Sequence, residues 1–540
     1  MQEAWFEVLL LRSNTVKEIQ GGLSALVGAL LGVFFSPDGH DMSLAGVSLQ
    51  LAGGETLHAF IELGVVLADE AALRAIYACK GAAGLKPCVL CQNVFNVTTK
   101  RNVPANDPTG FAVDITCSDV NKLVKHTPET INAIARRLAT ARPLMNAASF
   151  GELQTRLGWN WGHGIISNQR WLDKAMPSKV CMFDWMHVWL VSGGVFNVHV
   201  GQLMKHTKAM GITYAKLDEY VKSFAWPVTL GSSAAKTCLE AKRARTHWAE
   251  EALKVTAGEC LSLAPVLANF FTAVKEQSPN AALQRHAECF LLLCRVVELL
   301  QRTARVAVDP DVLEAAICAH MSAYKDLYGP DSMTPKFHST MHFGDFLRRL
   351  GFLPNCFALE RKHRTPKRHG NQVVNTSGAY EAGVLREVTS HHVHALCRPR
   401  QHFETAAGLI DPHPPSKRLA VVLHATFNLP IDVSVATARI ARINPWERVA
   451  VGDVVLAEHH GKTVCGKVVA HVSVETTGGV QTTTGLYRWE YISSGTRSLK
   501  YLKRSDTPLL LATDQLTCSV IWGGSGDVAT IVRPHRVDLI

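Results

Sequence analysis

Two cysteines and two histidines, each pair close in sequence and the pairs far from one another, are the residues best suited to chemistry in this chain. Cys88 and Cys91 stand in Pro87-Cys88-Val89-Leu90-Cys91, and His338 and His342 in Lys336-Phe337-His338-Ser339-Thr340-Met341-His342. The Cys-x-x-Cys spacing lets two thiolates grip one cation, although redox motifs share it. Histidines at i and i+4 present both imidazoles on one face of a helix. Together they make up a closed, four-coordinate structural zinc site that would staple two distant segments. Cys79, Cys117 and His363 stay open as alternative ligands.

Acidic and basic residues flank these pairs. Asp69 ends the apolar run Val66-Leu67-Ala68, where a carboxylate is poorly solvated unless it meets a cation or a donor; a helix cap is the plainer reading. Asp184 follows Val180 to Phe183, with His187 one turn later, and here too capping is the plainer role. Glu360 is followed by Arg361, Lys362, Arg364, Lys367 and Arg368, with His363 and His369 interleaved. That run is either a solvated basic face or a surface for phosphate groups. Trp159, Trp161 and Trp171 read as core aromatics rather than base-stacking platforms.

The elements that must position these groups can be read from periodicity. Strand-like runs cover Leu44 to Leu51 and Leu57 to Leu67, after a helical start from Trp5 to Gln20, and a helix follows from Glu70 to Ala78. Strand, acid, helix is the grammar of an α/β sheet, whose functional groups gather at strand ends. Three-four spacing then predicts helices over Thr127 to Ala141, Trp185 to His206, Ala234 to Thr256, Ala281 to Arg305 and Pro310 to Tyr328. The last has Asp309 as cap, Pro310 at its first position, and Asp311 with Glu314 in its first turn.

Residues 336–397 read as helical again. Arg398-Pro399-Arg400 and His413-Pro414-Pro415 mark a linker, and short segments beyond it (Ala420 to Ala425, Asp453 to Glu458, Thr463 to Val474, Leu486 to Ile492, Ser519 to Trp522) read as a small β-barrel or sandwich. The division expected is therefore 1–100, a helical insertion at 101–335, a returning segment at 336–400, a linker at 401–417 and a β domain at 418–540.

A chain of 540 residues exceeds one hydrophobic core, so several domains are expected. Its 56 Lys and Arg against 46 Asp and Glu leave a net +10, a mild bias toward an anionic partner. Fourteen cysteines with no secretory leader argue against a disulfide scaffold and for reduced thiols or metal ligands in the cytosol or nucleus. Leu23 to Phe35 is too short to cross a bilayer and reads as a buried element, so no membrane partner is expected.

The order Asp69, Cys88-x-x-Cys91, Asp184-x-x-His187, His338-x-x-x-His342, Glu360 resembles the core of eukaryotic cut-and-paste DDE transposases, closest to the CACTA-like group with its Mirage, Chapaev and Plavaka-type relatives. The likeness covers about residues 60–370. It implies an α/β fold: an RNase H-like core, incomplete here, split by a large all-α insertion and followed by the β-barrel-like domain. It also implies catalytic roles for Asp69, Asp184, His187 and Glu360, and DNA contacts through Arg361, Lys362, Arg364, Lys367 and Arg368. Cys88, Cys91, His338 and His342 match its zinc site, and Mg2+ or Mn2+ would serve catalysis. Partners would be transposon ends and target DNA, with a homo-oligomer possible and a nuclear location.

One departure stands out. The family's first catalytic Asp has only Asp38 and Asp41 as candidates here, in the turn-like Ser36-Pro37-Asp38-Gly39-His40-Asp41, so an N-terminally truncated or decayed copy is the expectation. The alternative function is a catalytically inactive, transposon-derived protein that binds DNA or chromatin. The C-terminal domain would make the chromatin contact, because Val451-Gly452-Asp453-Val454-Val455-Leu456 resembles the opening of an SH3-like or BAH-like barrel.

Overall fold

The apolar run before Asp69 forms a strand, but a shorter one than its length predicts. In the computed structural model, Leu57 to Leu67 divides into two strands, Thr56–Ala59 (β2) and Val66–Ala68 (β3), because the alternation of apolar and polar residues fails between Phe60 and Gly64. β2 pairs antiparallel with Val47–Gln50 (β1), with Leu49 opposite Leu57. β3 pairs in parallel with Cys181–Phe183 (β4), with Val66 opposite Cys181 and Ala68 opposite Phe183. A parallel pair requires a long crossover, and more than a hundred residues supply it here. Residues 1–6, 37–39, 52, 83, 97–110, 229–231, 305, 358–363, 373–379, 398–406, 427–429, 431–432, 445–446, 477–478, 504–507 and 533–540 lie outside those the structure describes.

The chain forms two compact units, Met1–Val198 with Val306–Cys397, and His199–Arg305 with Arg398–Ile540. In the first, β4 is apolar and buried throughout, as a strand covered on both faces must be. The helix after β3, Glu70–Tyr77 (α1), buries Leu73, Ile76 and Tyr77 and ends where Ala78 turns left-handed at φ 57°. The helix expected over Trp185 to His206 is broken into Trp185–Trp189 (α2) and a second helix from Val195. Gly193 takes φ 73°, and a Cβ on Gly194 would stand 2.7 Å from the Trp189 carbonyl oxygen, so only glycines fit this turn.

Pro310–Tyr328 (α3) forms with the bounds its signals predict. The Asp309 carboxylate accepts from Asp311 N–H at 2.9 Å, and Leu313, Ile317, His320, Met321 and Tyr324 make its buried stripe. Burial pushes the His320 imidazole down from 6.5 to about 3. Above pH 6.5 the ring is neutral whether the chain is folded or unfolded. Below it, the unfolded chain binds a proton that the folded chain refuses until about pH 3, so stability falls as pH drops through that window. His320→Asn should reduce the slope of unfolding free energy against pH there by up to about 1.4 kcal/mol per pH unit. Denaturant titrations across the window measure it, and an unchanged slope would contradict the assignment.

In the second unit, Ala257–Gln277 begins at a capping box of Thr256 and Glu259 and packs along Ala281–Arg302. By length and composition it could cross a membrane, yet 61% of its apolar window is buried in the protein. The C-terminal sheet is antiparallel and ten-stranded, built around the long hairpin Lys462–Thr476 and Gly479–Ser494. A three-stranded sheet (Glu447–Ala450, Ile440–Asn444, Gly408–Ile410) accompanies it.

Several expectations are corrected here. The stretch 101–335 is not all-α: it holds β4, the short strand Val113–Asp114, and Phe224–Ala225, which pairs with Ile521–Gly523. Ala420 to Ala425 is helical, within Lys417–Thr426, because Leu419, Val422 and Leu423 share three-four spacing and Ser416 Oγ accepts from Leu419 N–H. The expected linker contains the strand Gly408–Ile410, and His413 exchanges both backbone hydrogen bonds with Thr437. In the N-terminal region, Trp5 to Gln20 is helical only over Ser13–Glu18 among its described residues.

Candidate metal centre and the adjoining carboxylates

Cys88 and Cys91 sit in a tight loop whose backbone is pinned by His126 N–H on the Leu90 carbonyl and by Gln92 N–H on the Val124 carbonyl, both at 2.8 Å. Leu90 N–H donates to Cys88 Sγ at 3.3 Å. The histidines arrive differently from the expected single helix. Pro335–Thr340 (α4) carries His338 and stops, a turn follows, and His342 stands at the N-cap of Phe343–Leu350 (α5). The i, i+4 spacing still brings the two rings together, with Nε2 to Nε2 at 3.2 Å.

All four donors meet in one buried cluster. His342 Nε2 lies 3.4 Å from Cys88 Sγ and 3.5 Å from Cys91 Sγ. A tetrahedral zinc with bonds of about 2.3 Å to sulfur and 2.0–2.1 Å to nitrogen holds its donors about 3.3–3.8 Å apart. The cluster is therefore spaced for a metal such as zinc before any adjustment. Burial alone would push the Cys88 thiol up. The Cys91 thiol and the two imidazoles more than reverse this, and Cys88 is held well below the usual thiol range. Cys91 is pushed up in turn, by the hydrogen bond with Cys88 first and by burial second. One thiolate therefore forms readily, and a cation would favour the second.

Of the alternative ligands, Cys79 and Cys117 are outside the cluster: burial raises the Cys79 thiol to about 12, and Cys117 Sγ donates to the Asp119 carbonyl. His363 lies outside the described residues.

The cluster adjoins β4, because the His342 ring packs on Phe183 at 5.6 Å and stacks on Phe346 at 6.1 Å. Asp184 comes next in the chain, and its N–H donates to the Ala68 carbonyl at 3.3 Å. The parallel register thus sets Asp69 and Asp184 side by side at the carboxyl ends of β3 and β4.

Their surroundings differ. Asp69 Oδ1 caps α1 by accepting from Ala72 N–H at 2.6 Å, and Oδ2 has no hydrogen-bond partner among the described residues. Asp184 is fully engaged. Oδ1 accepts from Met186 N–H and Cys356 N–H, and Oδ2 from His187 N–H and from His187 Nδ1 at 2.5 Å. Asp184 therefore fixes the His187 ring and its tautomer, with Nδ1 toward the carboxylate.

Three residues join this neighbourhood that sequence reasoning missed. Lys336 donates to the Ser192 carbonyl at 3.1 Å; burial lowers its pKa, against the pull of Glu70 and Asp69. Glu70 is pushed up by burial, against a hydrogen bond from Ala82 N–H at 2.8 Å. Cys356 lies within reach of Asp184 and His187. Lys336 could have been suspected from its place two residues before His338; Glu70 and Cys356 carry no local signal.

Glu360, Arg361, Lys362 and Asp38 lie outside the described residues. Arg364 begins the helix Arg364–Gln372, on which Lys367 and Arg368 are exposed. Asp41 is buried and accepts from Ser43 N–H and Oγ at 2.9 and 2.6 Å, with Lys174 Nζ 3.9 Å away. The Ser43 hydroxyl chiefly holds its carboxyl below the usual range, helped by Lys174 and Arg170.

Comparison with protein-family models, with curated proteins and with solved structures finds no match.

Proposed function

We propose that this chain is a transposase-like DNA-binding protein, related to enzymes that cut and join DNA strands by metal-dependent attack on a phosphodiester. One observation carries the reading: four metal-type donors from both sides of the long insertion meet in one buried cluster that adjoins the strand pair ending in Asp69 and Asp184. In this reading the cluster holds zinc as a structural staple, and the protein works in the nucleus.

Asp69, with one oxygen clear of its cap, and Glu360 would hold Mg2+ or Mn2+, which when bound activates the attacking hydroxyl and steadies the leaving oxygen. The protein's own groups do the rest. Asp184 holds the His187 ring in place through Nδ1, setting the imidazole beside the path proposed for the DNA phosphates, and Lys336 adds positive charge beside Asp69. Arg361, Lys362 and Arg364 follow the DNA backbone.

Affinity for duplex DNA measured over a salt series tests the binding. Arg361→Ala with Lys362→Ala should flatten the log-log slope by about two, because each phosphate contact contributes about one. An unaltered slope would remove the basic run from the interface.

Asp41 favours a second reading, in which DNA is bound but poorly cut. Its carboxylate is held by Ser43 and Lys174, and a catalytic cation would have to displace both to use it. Supercoiled DNA incubated with the chain and Mg2+ should be nicked slowly at best. Rapid nicking that Asp41→Ala or Asp38→Ala abolishes would show a complete acid set.

A further inference from the structure

A second group of metal-type donors lies beyond β4, separate from the tetrahedral cluster. Asp184, His187 and Cys356 offer one oxygen, one nitrogen and one sulfur, all within 4.8 Å of one another. Asp184 and Cys356 are 1% and 6% exposed, and the His187 side chain 20%. Chain proximity does not explain the meeting, since Cys356 belongs to a segment far along the sequence. Backbone geometry does: Cys356 N–H donates to Asp184 Oδ1 at 3.0 Å, while Met186 and His187 N–H hold the same carboxylate from the other side.

We propose that Asp184, His187 and Cys356 form a second metal site, for a borderline transition-metal cation of the Zn2+ or Co2+ class. The donor set decides the class. A thiolate with an imidazole selects such ions over Mg2+ or Ca2+, which want oxygen alone. Three protein ligands leave a fourth position to a solvent or substrate oxygen, as in catalytic rather than structural zinc sites, and the partial exposure of His187 gives it an outlet.

The site binds more weakly than the tetrahedral cluster, for a geometric reason. Asp184 Oδ2 and His187 Nδ1 stand 2.5 Å apart with a proton between them. Two such donors on one ion, with bonds of about 2.0–2.1 Å, stand about 3 Å or more apart. The cation must displace that proton and open the pair, whereas the cluster donors at 3.2–3.5 Å are already in place.

The test is a metal titration of the full chain, read by native mass spectrometry and by Co2+ absorption. One cation should bind first, and a second should follow in excess, with its own thiolate-to-cobalt band. Cys356→Ser and His187→Gln should each remove the second cation while leaving the first and its tetrahedral spectrum, which also reports that the variants fold. Zinc X-ray absorption on the unaltered chain gives an answer without variants: the mean sulfur count per zinc should fall from about two to about one and a half as the second ion loads. A chain that saturates at one cation, a second cation that persists in Cys356→Ser, or a sulfur count that stays at two would each overturn the proposal. None of these results depends on whether the protein binds DNA.

Discussion

Cys88→Ser or His342→Ala should abolish zinc binding at the four-donor cluster and cost most of the stability of the unit that contains it. Zinc bound at such a site is worth about 10 kcal/mol or more, and that binding free energy is folding free energy because the unfolded chain has no preformed site. The leverage is large here because the two donor pairs come from segments on either side of the stretch 101–335. Either substitution also leaves the remaining donors buried without the charge that balances them. Elemental analysis should find close to one zinc per purified chain, and denaturation should show a strong dependence on chelator. Cys117→Ser is the matched control: this cysteine is half-buried, its thiol donates to the Asp119 carbonyl, and it is outside the cluster. Its loss should stay within about 0.5 kcal/mol. A zinc-free protein as stable as the loaded one would refute the staple.

Asp184→Ala should destabilise the same unit by about 3–5 kcal/mol, far more than Asp69→Ala, which should cost about 1 kcal/mol. The two acids occupy equivalent places at the ends of paired strands, so the contrast comes from what they hold. Removing the Asp69 carboxylate leaves one helix N–H, that of Ala72, to find water at a half-buried surface. Removing that of Asp184 strands the N–H groups of Met186, His187 and Cys356 and the His187 ring nitrogen around a buried hole. Asp184→Asn should fall between, since its amide oxygen can keep part of the set while its NH2 opposes the rest. Urea denaturation of the three variants gives the ranking. Equal losses for Asp69→Ala and Asp184→Ala would mean that the capping network at Asp184 is not what holds this region together.

The same contrast separates structural from chemical roles. Asp69→Asn keeps an acceptor for Ala72 and should leave stability nearly unchanged, so any loss of Mg2+-dependent DNA nicking in that variant would report on the chemistry alone. No substitution at Asp184 offers so clean a separation.

What the sequence determined by itself is whatever is encoded within a few residues. Asp309 with Pro310 starts α3 where the local signals place it, because a cap and a missing N–H act within one turn. The strand character of Thr463 to Val474 and Leu486 to Ile492 is legible from their β-rich composition, although the second strand extends well beyond the expected bounds, to Gly479–Ser494. The four donors of the candidate metal cluster were legible because each pair has its own short spacing and the coordination chemistry of zinc would join the pairs. Tertiary structure decided everything that depends on a distant partner. β3 is three residues long and finds its mate in β4 only because the crossover folds back, which no local pattern states. Phe224–Ala225 is a strand because Ile521–Gly523 offers it an edge. Asp184 caps its helix as its place in the sequence suggests, but the same carboxylate is also held by Cys356 N–H, from a residue with no motif to announce it. Caps and periods are short-range interactions, whereas strand pairing and buried polar networks exist only once remote segments have excluded water between them.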